Sequence, residues 1–351
     1  MSKRASISDV ARLAGVGVGS VSRVINQAAA VSPGMRERVH AAMERLGYTP
    51  GEPHDRPGPK HRRSAPPASR RAVVELVVIS RLGLGWMEEQ APVYASVFDG
   101  IEEALTAAGC ELVVRQIERW PASFPANDPP MAGRIFFGAD DTRTRPSGFP
   151  LAPPSIWLMG SPPAWFAGDI IHIDHMAVGQ LAAQEAIRLG HRSCVYLGTA
   201  LGSPSARLGY RADAFLHHLQ ALGGQAQMII DPSLIDMTRT ANCASVERIR
   251  AALAPLLRRP SRPSAICVQA DMLTPAVYQC LSDVGLRPQR DVTVISCNNE
   301  ARYLRSLKPP PIVIDVQAVQ VGKQAVDTLL WRIGHPAAPA LHLAIRPVLA
   351  P

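Results

Sequence analysis

Apolar residues recur at helical spacing three times within the first fifty positions. Ile7, Val10, Ala11 and Ala14 stand at i, i+3, i+4 and i+7, which places all four on one face of a helix. Ser6 or Ser8 can cap that helix, and Asp9 suits its first turn. Gly15 ends it, and Val16 is the apolar residue that such a turn tucks inward. Val21, Val24 and Ile25 then predict the inner face of a second helix from about residue 18 to 26, leaving Ser20, Ser22, Arg23 and Asn26 outward. A third helix is marked by Ser32 as cap and Pro33 at its first position, with Val39, Met43 and Leu46 inward.

From Val73 onward the pattern changes to short apolar runs alternating with helical stretches. The runs at 75–80, 110–115, 134–138, 155–159, 170–174, 194–198, 227–230, 265–269, 292–296 and 312–316 read as strands. Helical patterns at 93–108, 177–189, 205–222, 244–258, 274–284 and 317–332 lie between them. Alternation of this kind predicts parallel sheets with helices on both faces, and so many strands divide into two lobes. Residues 116–133, QIERWPASFPANDPPMAG, and 139–154 read as proline-rich loop, so one face of the first sheet is expected to be thinly covered.

Between head and body, residues 51–72 read GEPHDRPGPKHRRSAPPASRRA. Interior prolines forbid a continuous helix there. Six basic residues, Arg56, Lys60, Arg62, Arg63, Arg70 and Arg71, leave two readings open: a solvated tether, or an arm that tracks phosphates. The expected organisation is therefore a head at 1–50, a basic linker at 51–72 and a body at 73–351.

Charge sharpens this division. Of 37 Lys and Arg and 29 Asp and Glu in the 351 residues, thirteen basic and five acidic ones lie in 1–72, so the body is neutral and the whole net charge of +8 sits at one end. That is the footprint of a nucleic-acid-binding end. A helix-turn-helix lays its second helix in the major groove, and Arg23 is the residue there whose fork can meet both guanine acceptors. The glycines at 15, 17 and 19 do not make a nucleotide loop, because no strand precedes them and no acidic residue follows at the ribose-binding distance.

The six cysteines form no C-x-x-C pair and mostly fall in apolar runs, as reduced buried thiols do. No apolar stretch is long enough for a signal peptide or a membrane span, so a soluble cytoplasmic protein without membrane contact is expected. No G-x-S-x-G, P-loop, H-E-x-x-H or cysteine ligand spacing occurs, and the adjacent His217 and His218 point to different sides of a helix. Neither an enzyme nor a cofactor or metal is expected.

The string D-V-A-x-x-A-G-V-x-x-x-S-V-S-R-V-I-N, Asp9 to Asn26, and the run V-S-P-x-x-R-E-R-V-x-A-A-M-E-R-L-G-Y-x-P, Val31 to Pro50, closely resemble the head of the lactose-repressor (LacI/GalR) family of bacterial transcription regulators. The resemblance implies base-reading positions at Val18, Gly19 and Arg23, and phosphate contacts at Gly17, Ser22, Asn26 and Ser32. It also implies a body of type I periplasmic-binding-protein architecture, two Rossmann-like lobes about a ligand cleft, in a homodimer that binds operator DNA. Relatives usually carry Ser at the position of Gly17 and longer side chains at Val18 and Gly19, so readout here leans on Arg23 and DNA shape. A hinge helix with a leucine is usual where this chain has its proline-rich linker.

On that architecture the cleft residues are Arg81, Tyr94, Asp174, His175, Arg207 and Asn298, since ligands bind beyond the strand C-termini. Many relatives have Asp at the position of Asn298, and another contact position holds Ala270. The expected function is a repressor whose operator affinity answers to a small, sugar-like molecule. Two alternatives stay open: a regulator with a lost or non-sugar effector response, and a solute-binding protein without a regulatory role.

Overall fold

The computed structural model describes residues 6–25, 33–48, 71–79, 92–117, 131–138, 154–200, 207–236 and 243–351. The chain divides into two units, Met1–Ser69 and Arg70–Pro351.

In the first unit, α1 (Ile7–Ala14), α2 (Val18–Ile25) and α3 (Pro33–Arg45) bury Val10, Ala11, Ala14, Val21, Val24, Val39 and Ala42 against one another. The capping residue is Ser6, not Ser8. Its hydroxyl accepts from the Asp9 N–H at 3.3 Å, and its own N–H donates to the Asp9 carboxylate at 3.0 Å, a reciprocal capping box. Gly15 takes the left-handed conformation (φ 65°) that ends α1. Met43 and Leu46 are only half-buried, and Ala42 takes the inward place between them and Val39.

The second unit holds two six-stranded sheets. The first has strand order β13-β5-β4-β3-β1-β2, with β1 (Val73–Ile79), β2 (Glu111–Ile117), β3 (Gly133–Phe137), β4 (Ser155–Leu158), β5 (Asp169–Ile173) and β13 (His342–Ile345), all parallel. Helices α4 (Pro92–Ala108) and α10 (Ala318–Gly334) pack on it. They approach so closely that a methyl on Gly100 would overlap the Val319 carbonyl, and one on Gly322 the Val97 carbonyl.

The second sheet has order β14-β12-β11-β10-β6-β7, built from β6 (Ser193–Gly198), β7 (Gln225–Ile230), β10 (Ala265–Val268), β11 (Thr293–Asn298), β12 (Ile312–Asp315) and the antiparallel β14 (Val348–Leu349). Helices α5 (His175–Arg188) and α6 (Tyr210–Ala221) pair on one face, and α7 (Val246–Leu257) and α8 (Thr274–Asp283) on the other. Alternation assigns the strand residues: Val195, Leu197, Ile266 and Val268 face α7 and α8, while Cys194, Tyr196, Ala265 and Cys267 face α5 and α6. A two-stranded ribbon, β8 (Ile235–Asp236) with β9 (Cys243–Ala244), and a one-turn helix, α9 (Ala301–Leu304), complete this lobe.

The backbone passes between lobes three times, at Ile173–His175, Asp315–Ala318 and Ile345–Val348. The architecture is thus the expected pair of Rossmann-like lobes. Five short elements went unread in the sequence: the strands β8, β9, β13 and β14, too brief to show alternation, and the one-turn helix α9. Of the residues expected to be loop at 116–133 and 139–154, Gln116 and Ile117 instead extend β2 and Gly133 begins β3, while 118–130 and 139–153 lie outside those described. The face of the first sheet away from α4 and α10 is covered by an aromatic cluster in which Phe136 stacks on Trp157 at 5.7 Å and Phe166 meets Trp157 edge-on at 5.3 Å. On the same face Glu75, fully buried, accepts from Arg115 and Arg134, each at 2.6 Å, and ties three neighbouring strands. Cys110, Cys194, Cys267, Cys280 and Cys297 are free thiols.

Candidate functional site: a DNA-reading head and an interlobe polar network

In the head, α2 carries the residues expected at DNA. The Gly17 carbonyl accepts from the N–H groups of Ser20 and Val21 at 2.8 and 3.2 Å, so Gly17 opens the helix. Val18 is 45% exposed, an unusual state for valine on a compact helical unit, and Arg23 is exposed on the same helix, whose inner face holds Val21 and Val24. Gly19 and Ser22 lie within α2. Asn26 and Ser32 fall outside the described residues, as does the linker from 51 to 70.

In the body, the C-terminal ends of the second sheet converge on Arg211. Its side chain is only 2% exposed and its bonds fan out to three elements. Nε donates to His175 Nδ1 at 3.1 Å, and Nη1 donates to the Gln269 carbonyl at 2.6 Å and to the Asn298 side-chain oxygen at 2.9 Å. Asn298 in turn donates to Glu300 at 3.0 Å. The other Glu300 oxygen accepts from the Val93 N–H at 3.0 Å, at the N-terminus of α4 in the opposite lobe. A helix N-terminus favours a negative charge. A chain of side chains therefore runs from the first crossover, through the second lobe, into the first.

The backbone that presents this chain is itself unusual. Asn298 and Asn299 both have positive φ, 127° and 70°, and asparagine is among the few residues that tolerate such angles. The turn aims Glu300 at α4, while the Glu300 N–H donates to Asp271 at 2.7 Å. Asp271 also accepts from the Ser296 hydroxyl, which is bonded to Thr274 at 2.6 Å. Burial pushes Asp271 up to about 7, against the lowering effect of those hydrogen bonds. Burial raises Glu300 as well, with Asn298 and the Val93 N–H pulling the other way. Tyr94, edge-on to Phe137 at 5.1 Å, is raised by burial and by the nearby Glu300. A recess of about 310 Å³ opens beside the bridge, lined by Val93, Ser96, Asn298, Asn299, Glu300 and Asp315 among others; it is at the small end for ligand sites.

Of the residues expected in the cleft, His175 and Asn298 belong to this network, and Tyr94 lies within electrostatic reach of its Glu300 and Arg211. Asp174 stands at the first crossover, where its carboxylate accepts from the Ala177 N–H at 2.9 Å and caps α5. Arg207 opens the short turn Arg207–Gly209, and Arg81 lies outside the described residues. The guanidinium that reaches Asn298 belongs to Arg211, which the sequence reading passed over. Its signal was present: Arg211, Phe215 and Leu219 are spaced at i, i+4 and i+8, so a charge interrupts the buried stripe of α6. Gln269, ending the apolar run AICVQ, showed a similar sign, and its side chain binds Thr199, Ala200 and Leu208. Glu300 had none. Among the described residues no cluster of three or more His, Cys, Asp or Glu could hold a metal, and no helix is long and apolar enough to cross a membrane.

A three-helix head with an exposed reading helix, followed by two lobes that share a polar cleft, defines a DNA-binding regulator with an effector-binding domain. The comparisons with known proteins agree. Residues 6–51 match the model of bacterial regulatory proteins of the lacI family, and 183–351 match a periplasmic binding protein-like domain. The ribose operon repressor of Escherichia coli (strain K12) is 25% identical over 356 residues, covering 98% of both chains. The structure of the lac repressor dimer bound to operator and the anti-inducer ONPF has the same fold (TM-score 0.55, 22% identity, 99% of this chain and 98% of that one). So does the CelR–cellobiose complex (TM-score 0.57, 21% identity, 99% of each chain). The chain thus carries a lacI-family DNA-binding head and a periplasmic-binding-protein-like body, the organisation of the DNA-binding transcriptional repressors that it resembles.

Proposed function

We propose that this protein is a cytoplasmic, homodimeric transcriptional repressor that holds an operator through α2 and releases or tightens it when a small molecule enters the interlobe cleft. It acts by binding and not by catalysis. The observation that carries this reading is the Arg211–Asn298–Glu300–Val93 connection, which makes the mutual position of the lobes depend on groups lining the cleft. A ligand that bonds those groups differently in the two lobe arrangements shifts their balance. At DNA, Arg23 reads base edges, Val18 supplies apolar contact, and Gly17, Ser22, Asn26 and Ser32 hold the backbone. The relatives named above repress a ribose operon, bind an operator as a dimer, or hold cellobiose, and a comparable operator and polyhydroxyl effector are proposed for this chain. Arg81, Tyr94, Asp174, His175, Arg207 and Asn298 remain the proposed effector contacts, now joined by Arg211 and Glu300.

One observation favours a second reading, a non-sugar or lost effector response. Arg211 and Asn298 already satisfy each other, and Asn298 and Ala270 stand where relatives offer other polar groups, so fewer acceptors are left for vicinal hydroxyls. Genome-wide footprinting of bound DNA, followed by anisotropy titration of the recovered site, tests the main reading. Selective binding lost in Arg23→Ala is expected; equal affinity for unrelated DNA would overturn it. Adding a panel of sugars and anions to the complex then separates the two readings.

A further inference from the structure

Separate from the Arg211 network, two imidazoles converge at the edge of the first sheet. His172 lies on β5 and His342 on the neighbouring β13. In the register Ala344 pairs with His172 and His342 with Ile170, so the two histidines are diagonal neighbours on one face. Their Nε2 atoms are 2.7 Å apart, with ring centroids at 4.8 Å and planes at 61°. His172 Nδ1 meets the Ile173 carbonyl at 2.6 Å. A carbonyl can only accept, so Nδ1 carries the proton and the His172 Nε2 lone pair accepts from His342 Nε2–H; a metal ion takes the place of that proton when His342 moves to its Nδ1–H tautomer. Metal-ligating histidines are held as His172 is: one ring nitrogen donates to a carbonyl, which fixes the tautomer and ring plane, and the other points to the metal.

We propose that His172 and His342 form a chelating site for a divalent transition-metal ion, with water completing the coordination. The bite of the pair selects among metals. With metal–nitrogen bonds of about 2.0–2.1 Å, a right-angled pair of ligands sets the nitrogens about 2.9 Å apart, and a tetrahedral pair about 3.3 Å or more. The observed 2.7 Å needs only a slight parting of the rings for the first geometry and a larger one for the second. Square-planar or tetragonal Cu²⁺ and Ni²⁺ therefore suit the site better than tetrahedral Zn²⁺. The pair is open to solvent, His342 exposed and His172 half-buried, so an ion can enter without unfolding. Both strands lead directly into lobe crossovers, β5 at Ile173–His175 and β13 at Ile345–Val348. A bound ion would staple the two connections together on the first lobe's side.

The test uses the full-length chain without an affinity tag, titrated with Cu²⁺ delivered as its glycine chelate. One ion per chain is expected, with an electron paramagnetic resonance spectrum showing two imidazole nitrogens and slower amide exchange at 342–349. His342→Ala and His172→Ala should each weaken binding at least tenfold, a double His217→Ala/His218→Ala control should leave it unchanged, and Ni²⁺ should bind more tightly than Zn²⁺. Unchanged affinity in His172→Ala/His342→Ala, fewer than two nitrogens in the spectrum of the unsubstituted protein, or a preference for Zn²⁺ over Ni²⁺ would each overturn the assignment. The spectrum is read on the unsubstituted chain, so it decides even if a variant fails to fold.

Discussion

Arg211 Nη1 donates to the Asn298 side-chain oxygen at 2.9 Å, and through this bond a charge buried in the second lobe is connected to Glu300 and to the first turn of α4 in the other lobe. Replacing Glu300 by Ala removes the acceptor for the Val93 N–H, whereas Gln keeps an oxygen there. Glu300→Ala should loosen the lobes, seen as an increased radius of gyration in small-angle scattering, and Glu300→Gln should stay near the parent. Arg211→Met should cost about 2–4 kcal/mol of body stability, since it leaves the Gln269 carbonyl and Asn298 buried without their donor. An Arg211→Met protein as stable as the parent in denaturant titration would show that these groups find other partners.

Asp271 gives the body a pH dependence of defined sign. Its folded value of about 7 lies above the ordinary 3.8, so between those values the folded state binds more protons than the unfolded one. Stability falls as pH rises through that window and levels off above it. Glu300, also raised by burial, adds in the same direction. His191, lowered by burial, contributes the opposite slope near its own titration. Urea unfolding at pH 5 and pH 8 should show the body weaker at pH 8, and Asp271→Asn should flatten most of that difference while His191 is common to both proteins.

Gly322→Ala tests the contact of α10 with α4. A methyl there meets backbone, the Val97 carbonyl, which cannot move aside without separating the helices. The expected destabilisation is about 1–3 kcal/mol or more, large against the fraction of a kcal/mol that alanine gains over glycine in an exposed helix. A neutral or stabilising outcome in thermal unfolding would mean the helices can part freely.

The end of α10 is held by a buried ion pair. Arg332 donates to both Asp169 oxygens at 2.9 and 2.6 Å and also to the Pro339 carbonyl, while the Leu341 N–H donates to Asp169 at 2.7 Å. These bonds seat the segment that leads into β13. Asp169→Ala strands the guanidinium and should cost about 3–5 kcal/mol. Limited proteolysis near residue 338 should accelerate, and protection equal to the parent would refute the role.

The α1–α3 pattern was readable because each helix buries a single apolar stripe and its ends carry their own chemistry, Ser6 with Asp9, Gly15 and Pro33. Most strands of the body were readable for a related reason. β1, β3, β4, β6, β10 and β11 are buried on both faces, so they appear as continuous apolar runs. β13 and β14 were not, because edge strands of four and two residues are too short to carry such a signature.

The cleft divides along the same line. Tyr94, His175 and Asn298 could be placed from sequence because each lies next to the end of an element whose position the architecture already implies. Arg211 showed itself only as a charge within an apolar stripe, and Glu300 not at all.

Local periodicity, capping and charge by themselves determined the helical, nucleic-acid-binding head and the two-lobed body, since these depend on neighbours within a few residues, and the motif of the head carried the resemblance that implied a regulator. Only the tertiary structure decided that Arg211 meets Asn298, that Glu300 reaches Val93 and that His172 faces His342. Those pairs are separated by 87, 207 and 170 positions, and what brings them together is the order of strands in two sheets and three crossings between lobes, which no local pattern encodes.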